Sequence, residues 1–147
     1  MHDEPSAGGL SWAEQRQHAI AGHEAALAAG RDAEAQQAAV LIAGFVTRAA
    51  ERGLTPRRLT ARSYDGRSTY RTTLHGWYLK SNKSVAVGAD GQYYAMTVPS
   101  SLRARFGGAQ VAASPPRLIV GAGGGDGETM PLAQLLQRRL DAGVDWP

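Results

Sequence analysis

The chain has 147 residues, of which 43% are apolar, a size and composition typical of one domain with a single hydrophobic core. It contains no cysteine, which excludes disulfides, thiolate nucleophiles and cysteine-ligated metal sites. The formal net charge of +3 is unevenly distributed. Residues 57–120 hold ten of the sixteen Lys and Arg, all five Tyr and only two acids, so this segment carries +8, whereas residues 1–56 carry −3 and residues 121–147 carry −2.

The basic segment is not explained by overall composition. Arg outnumbers Lys fourteen to two, and Ala and Gly are abundant, as is typical of a high-GC bacterial genome. A codon bias that acts evenly would raise the isoelectric point without removing acids from the middle of the chain. We therefore expect the basic segment to engage an anionic partner.

The first ten residues are polar and rich in Gly and Pro, and we expect a flexible tail there. They lack the basic and apolar regions of a signal peptide. The longest apolar run, residues 38–46, is nine residues long, far below the roughly 20 that span a bilayer. These features predict a soluble, cytoplasmic protein that makes no contact with membranes.

Residues 11–53 carry the signals of a helical hairpin. Ser11 and Glu14 form a capping box at the start of the first helix. Gly30 is expected to end that helix, Asp32 to cap a second one, and Gly53 to end the second. The second helix has an apolar stripe with helical spacing, namely Ala38, Leu41, Ile42, Phe45, Val46 and Ala49.

The first helix of this hairpin is much less apolar. Trp12, Ile20 and Leu27 are its only large apolar residues among many alanines. Such a helix gains little from burial at ~25 cal/mol per Å² of apolar area, so it is expected to fray or to need a partner.

From Leu59 onward the apolar period changes from 3.6 to 2, which predicts an antiparallel meander of four to six strands within residues 57–120. The Asp65-Gly66 pair is a strong hairpin signal. An unbroken strand that buries Leu74 would turn Trp77 outward, so we expect a break at His75-Gly76 that reverses the alternation.

The C-terminal part is predicted to contain shorter elements. Ser100 is expected to cap a short helix, Val111 to open a strand, and residues 118–120 to form another. A Gly-rich loop covers residues 121–128, and Pro131 is expected at the first position of a helix over 129–142 that ends at Gly143. This amphipathic helix would bury Leu132, Leu135, Leu136 and Leu140.

The predicted fold class is therefore α+β. An N-terminal helical hairpin over residues 11–53 packs on an antiparallel meander over residues 57–120, and a C-terminal helix closes the core. Residues 11–147 form a single domain in this interpretation.

Motifs for catalysis or cofactor binding are weak. The Gly-rich loop contains Asp126 and Glu128 where a phosphate-binding loop needs Gly or Lys. His18 and His23 are five residues apart and so lie on different faces of a helix, which does not favour a shared metal. No nucleophile motif is present. We therefore predict no catalytic residue, no cofactor and no metal, and an enzyme with a site near Gly121–Glu128 is the least favoured alternative.

The basic, tyrosine-bearing sheet is the one positive functional signal. Guanidinium groups neutralise phosphates, and exposed tyrosine rings stack on unpaired bases. The sequence predicts a non-enzymatic binding protein that engages single-stranded nucleic acid, or else an acidic protein, through one face of the sheet. The main alternative is an assembly module that forms homo-oligomers through the Ala-rich helices. The predicted contact residues are Arg58, Arg62, Arg71, Tyr78, Lys80 and Tyr93.

Overall fold

The computed structural model describes residues 11–121 and 129–146. The chain divides into two compact units, residues 1–33 and residues 34–147. The expected flexible tail over residues 1–10 lies outside the described residues, as does the Gly-rich loop from residue 122 to 128. The fold class is α+β, with three α-helices and a mixed, mostly antiparallel five-stranded sheet in the described residues.

Helix α1, Trp12–Glu51, corrects the predicted hairpin. The capping box forms as expected, because the Ser11 amide donates to Glu14 Oε1 at 2.9 Å and the Glu14 amide donates to Ser11 Oγ at 3.1 Å. The helix then continues through Gly30 and Asp32 without a turn. A single Gly costs a helix only about 1 kcal/mol. A turn would instead leave the last four carbonyls and the first four amides of two helices in need of partners.

The elements that follow belong to the second unit. The strands are β1 (Arg57–Ser63), β2 (Thr69–Tyr78), β3 (Val85–Gly88), β4 (Tyr93–Ala95) and β5 (Thr97–Val98). Then come α2 (Leu102–Gly107), a small sheet of β6 (Ile119–Val120) and β7 (Met130–Pro131), α3 (Leu132–Ala142) and a 3-10 turn, Gly143–Asp145.

The two edge strands of the five-stranded sheet, β4 and β5, are separated by a single residue in the chain. Its strand order is β4-β3-β2-β1-β5, with β5 parallel to β1 and the other pairs antiparallel. Met96 alone separates β4 from β5. Its amide donates to the Ser84 carbonyl at 2.8 Å, and its carbonyl accepts from the Arg62 amide at 2.9 Å. The sheet therefore closes at Met96, and it does so through the parallel pairing of β1 with β5, which an all-antiparallel meander would lack.

Both surfaces of the sheet bury apolar side chains. One cluster lies on the side of the sheet away from Trp77 and contains Leu59, Ala61, Tyr78, Ala86, Tyr94 and Met96. The other lies under the helices, where Phe45 of α1 meets Trp77 of β2 edge-to-face with ring centroids 5.5 Å apart. Trp77 Nε1 also donates to the Leu54 carbonyl at 3.1 Å. The predicted apolar stripe of α1 is confirmed here, since Ala38, Ile42, Phe45 and Ala49 are buried and Leu41 and Val46 pack against them.

The predicted break at His75-Gly76 is wrong. The irregularity in pairing falls where Arg58 and Thr60 of β1 face His75 and Arg71 of β2. At this point β2 has two residues more than β1. Because two is an even number, the side chains of β2 before and after the irregularity alternate between the two sides of the sheet without a change of phase. Gly76 continues the strand and pairs with both neighbours. Trp77 is buried without a reversal because the sheet is covered on both sides at this end.

Several shorter elements also differ from expectation. Helix α2 is capped by Ser101, whose Oγ accepts from the Ala104 amide at 3.2 Å, and Ser100 lies before the cap. Val111 opens no strand in the described part of the chain. Pro131 occupies the N-cap of α3 and not its first helical position, so the helix begins at Leu132. Its four predicted leucines are buried and Gly143 ends it, as expected.

Candidate anion-binding surface

Three of the predicted contact residues share an open surface on β1 and β2, which we call the arginine face: Arg58, Arg62 and Arg71. All three side chains are exposed. Side chains of directly opposed residues in an antiparallel pair project to the same side of a sheet. The opposed pairs here are Arg58 with His75, Thr60 with Arg71 and Arg62 with Thr69. The three guanidinium groups therefore lie on one side of two neighbouring strands.

The arginine face forms no ion pair with the described carboxylates. Within residues 11–121 and 129–144, none of its arginines lies within ion-pair distance of a carboxylate. The two acids of the basic segment are engaged in their own turns. Asp65 accepts from Ser63 Oγ at 2.6 Å, which lowers the pKa of Asp65, and Asp90 accepts from the Tyr94 hydroxyl at 2.6 Å. The positive charge of the face is thus left for solvent or a partner.

A shallow depression of about 230 Å³ lies against this face. Arg58 and Arg71 line it from the sheet, and the segment after α2, from Gly107 to Gln110, lines it from the other side. That segment is held to β2 by the Ala109 amide, which donates to the Arg71 carbonyl at 2.7 Å. An anionic group in this depression would lie next to two arginines.

The other three predicted contact residues are not on the arginine face. Tyr78, Lys80 and Tyr93 are all buried, with 3%, 5% and 8% of their surfaces exposed. The prediction assumed that one side of the sheet stays open along its whole length. At the end formed by β3, β4 and the last residues of β2, both sides are covered, so alternate residues are buried equally.

Tyr78 and Lys80 form hydrogen bonds within the fold, and Tyr93 belongs to the hydrophobic core that also contains Phe45 and Trp77. The Tyr78 hydroxyl accepts from the Thr60 amide at 2.7 Å, and its ring belongs to the cluster around Leu59 and Met96. Lys80 Nζ donates to the Gly121 carbonyl at 3.3 Å. Burial raises the pKa of Tyr93 to about 12, although the charge of Arg117 acts in the opposite direction.

A second basic group, which sequence reasoning missed, lies where α3 meets the sheet. Arg139 is 91% buried, and its Nε has no hydrogen-bond partner among the described residues. Its guanidinium lies over the Trp146 ring, 5.0 Å from the centroid, and its Nη1 donates to the Gly143 carbonyl at 2.8 Å. Burial lowers the pKa of Arg139, and the nearby charge of Arg57 lowers it further. The signal was present in the sequence, because Arg139 is seven residues after Leu132 and so belongs to the apolar stripe of α3.

Other classes of site find no support in the described residues. Among residues 11–121 and 129–146, no three His, Asp or Glu side chains are grouped closely enough to hold a metal ion. None of the helices described combines the length and apolarity of a membrane span. The loop near the least favoured alternative site, Gly121–Glu128, lies almost entirely outside the described residues.

Comparisons with protein-family models, with curated proteins and with solved structures found no match to the chain.

Proposed function

We propose that the protein is a non-enzymatic binding protein that engages an anionic partner, nucleic acid in the first place, through the arginine face. The observation that carries this proposal is the set of three exposed guanidinium groups on one side of β1 and β2, with no described carboxylate in ion-pair range. A partner that carries closely spaced negative charges gains from all three at once.

The chemistry of the face favours contacts to phosphates over contacts to bases. The tyrosines predicted to stack on bases, Tyr78 and Tyr93, are buried, so the face offers guanidinium and hydroxyl groups. Thr69 and Thr73 are exposed beside the arginines and can donate to phosphate oxygens. Binding of this kind depends strongly on salt and weakly on sequence.

The test is fluorescence anisotropy with labelled single-stranded RNA and DNA at several salt concentrations. Three phosphate contacts predict a slope of log K against log salt of about −2, at roughly −0.7 per contact. A variant with Arg58→Gln, Arg62→Gln and Arg71→Gln should lose most of the affinity and flatten the slope. The matched control replaces three exposed arginines of α1, Arg16→Gln, Arg31→Gln and Arg48→Gln, which changes the net charge by the same amount.

The two triple variants separate a specific surface from a general charge effect. Equal losses of affinity in both would show that only net charge matters. No binding to either nucleic acid at low salt would contradict the proposal, and an acidic protein would then be the remaining class of partner.

Assembly through α1 is a second candidate, and one observation favours it. Within the described residues of the first unit, no side chain is buried, and Trp12, Ile20 and Leu27 are 72%, 51% and 49% exposed. Large apolar groups on a helix normally need a surface to cover them. Light scattering over a range of concentrations tests this. A molar mass that rises with concentration in the native chain, but not in a Trp12→Ala, Ile20→Ala, Leu27→Ala variant, is expected. A monomer at every concentration would contradict it.

A further inference from the structure

The surroundings of Arg139 form a second basic site, separate from the arginine face. A cavity of about 170 Å³ lies between the end of β2 and the C-terminal end of α3. Arg57 and Arg139 line it together with the aromatic residues Trp77, Tyr78 and Trp146. Arg139 and Trp146 also line a smaller cavity of about 120 Å³, next to Lys80 and Arg138. The charged side chains known to line these two cavities, within residues 11–121 and 129–144, are all cationic.

The charge of Arg139 is poorly compensated by the residues around it. Removing a guanidinium from water is costly unless its charge and its donors find partners. The carbonyl of Gly143 accepts one hydrogen bond and the Trp146 ring provides a cation-π contact, but Nε has no partner in the part of the chain that the structure describes. Among the carboxylates of residues 11–121 and 129–144, none lies within ion-pair distance of either Arg139 or Arg57.

The two arginines also repel each other. Arg57 is exposed, and its guanidinium lies 5.2 Å from the centroid of the Tyr78 ring at the mouth of the larger cavity. Two guanidinium groups that share a cavity without an anion between them destabilise the fold, whereas an oxyanion that contacts both removes the repulsion. A doubly charged phosphate group neutralises both cations, and a carboxylate neutralises only one.

From these observations we propose that the cavity between Arg57 and Arg139 is a binding site for the phosphate group of a small ligand. Arg139 supplies a fixed, largely desolvated cation at the base of the cavity, and Arg57 supplies a mobile one at its mouth. The site is independent of nucleic-acid binding by the arginine face, because it uses none of Arg58, Arg62 and Arg71.

Inorganic phosphate is the first probe, and tryptophan fluorescence is the readout. The full chain carrying Trp12→Phe leaves Trp77 and Trp146, which both line the cavity, as the only tryptophans. Titration with phosphate at constant ionic strength should give a saturable change in fluorescence and a rise in the melting temperature. Sodium acetate should give a much weaker response. The absence of any saturable response to phosphate would overturn the proposal.

Variants of Arg57 test the site without disturbing the core, since this side chain is exposed. Arg57→Gln should weaken phosphate binding by about tenfold or more, as expected for the loss of a charge-assisted hydrogen bond. Arg105→Gln, which removes an exposed arginine of α2, is the matched control and should bind phosphate as the native chain does. Equal weakening in the two variants would show non-specific attraction and overturn the proposal.

The source of the phosphate group is distinguished by comparing three probes: inorganic phosphate, O-phospho-L-serine and a nucleoside 5′-monophosphate. Tighter binding of the nucleotide assigns the site to nucleotides, and tighter binding of phosphoserine assigns it to phosphorylated side chains. Equal or weaker binding of both esters assigns it to free phosphate. Each of these results supports the phosphate site, provided that the binding is lost in Arg57→Gln.

Discussion

Gly76 of β2 and Gly88 of β3 lie directly opposite each other, and the backbone of β3 comes so close to Gly76 that this position admits no side chain. A Cβ on Gly76 would lie 2.0 Å from the Val87 carbonyl oxygen, which is backbone and cannot move aside. Gly76→Ala should therefore destabilise the protein by about 3 kcal/mol or more, measured by urea denaturation.

The matched control for this substitution is Gly107→Ala, because a Cβ at Gly107 meets no atom within 4 Å and its backbone is not in the left-handed region. It should change the free energy of unfolding by less than about 1 kcal/mol. If Gly76→Ala were equally mild, the close approach of β2 and β3 would be wrong.

Gly30→Ala tests the continuity of α1. Gly30 has no neighbour within 4 Å of an added Cβ and does not adopt a positive φ. In a continuous helix this change should raise the helical signal in circular dichroism and stabilise the helix by about 0.5–1 kcal/mol. In a hairpin, Gly30 would occupy a left-handed turn, and the same change would lower the helical signal. Gly22→Ala, at another open helical position, should behave like Gly30→Ala.

Tyr78→Phe separates the structural role of this tyrosine from the binding role that its sequence context suggested. The Tyr78 hydroxyl accepts from the Thr60 amide and lies 3.1 Å from the Thr60 hydroxyl. Its removal should cost about 1–3 kcal/mol of stability. Affinity for nucleic acid at low temperature should stay unchanged. Tyr64→Phe, at an exposed position, is the control and should change neither quantity. A loss of affinity in folded Tyr78→Phe would return this residue to the binding surface.

The raised pKa values of two tyrosines predict that the protein loses stability at alkaline pH. Burial raises the pKa of Tyr93 from 10 to about 12, and burial together with the hydrogen bond to Asp90 raises the pKa of Tyr94 from 10 to about 12. Above pH 10 the unfolded chain releases these protons while the folded chain retains them, so the free energy of unfolding should fall between about pH 10 and 12. Below pH 10 the contribution of both tyrosines is fully present.

The measurement is urea denaturation at a series of pH values, compared with Tyr93→Phe, Tyr94→Phe protein. The double variant lacks both titrating groups and should lose less stability across this interval. The Ser101 amide lowers the pKa of Tyr70, which therefore acts in the opposite direction, and it is present in both proteins. Parallel stability curves for the two proteins would contradict the assigned pKa values.

The sequence predicted correctly those elements whose apolar residues repeat with a single period and whose other side is exposed to solvent. The stripe of α1 from Ala38 to Ala49 and the leucines of α3 are buried as expected. The closure of the sheet at Met96 could not be predicted. Only one residue separates β4 from β5, so the apolar alternation of period 2 continues through both strands and does not reveal where one ends and the other begins. The burial of Tyr78 and Lys80 was missed for a related reason, since alternation identifies a buried side only when the other side is open. Arg58, Arg62 and Arg71 were placed correctly as exposed because one side of their strands is open.

The closure of the sheet at Met96 also determines how the protein meets its neighbours in a concentrated solution. Exposed edge strands offer unpaired amides and carbonyls on which strands of other molecules can add. Here the segment Tyr93–Val98 supplies both edges, and Met96 hydrogen-bonds both to Arg62 of β1 and to Ser84, the residue before β3. Ala109 covers part of the remaining length of β2 by donating to the Arg71 carbonyl. The basic segment can therefore present its arginines to an anionic partner while the backbone beneath them resists intermolecular strand addition.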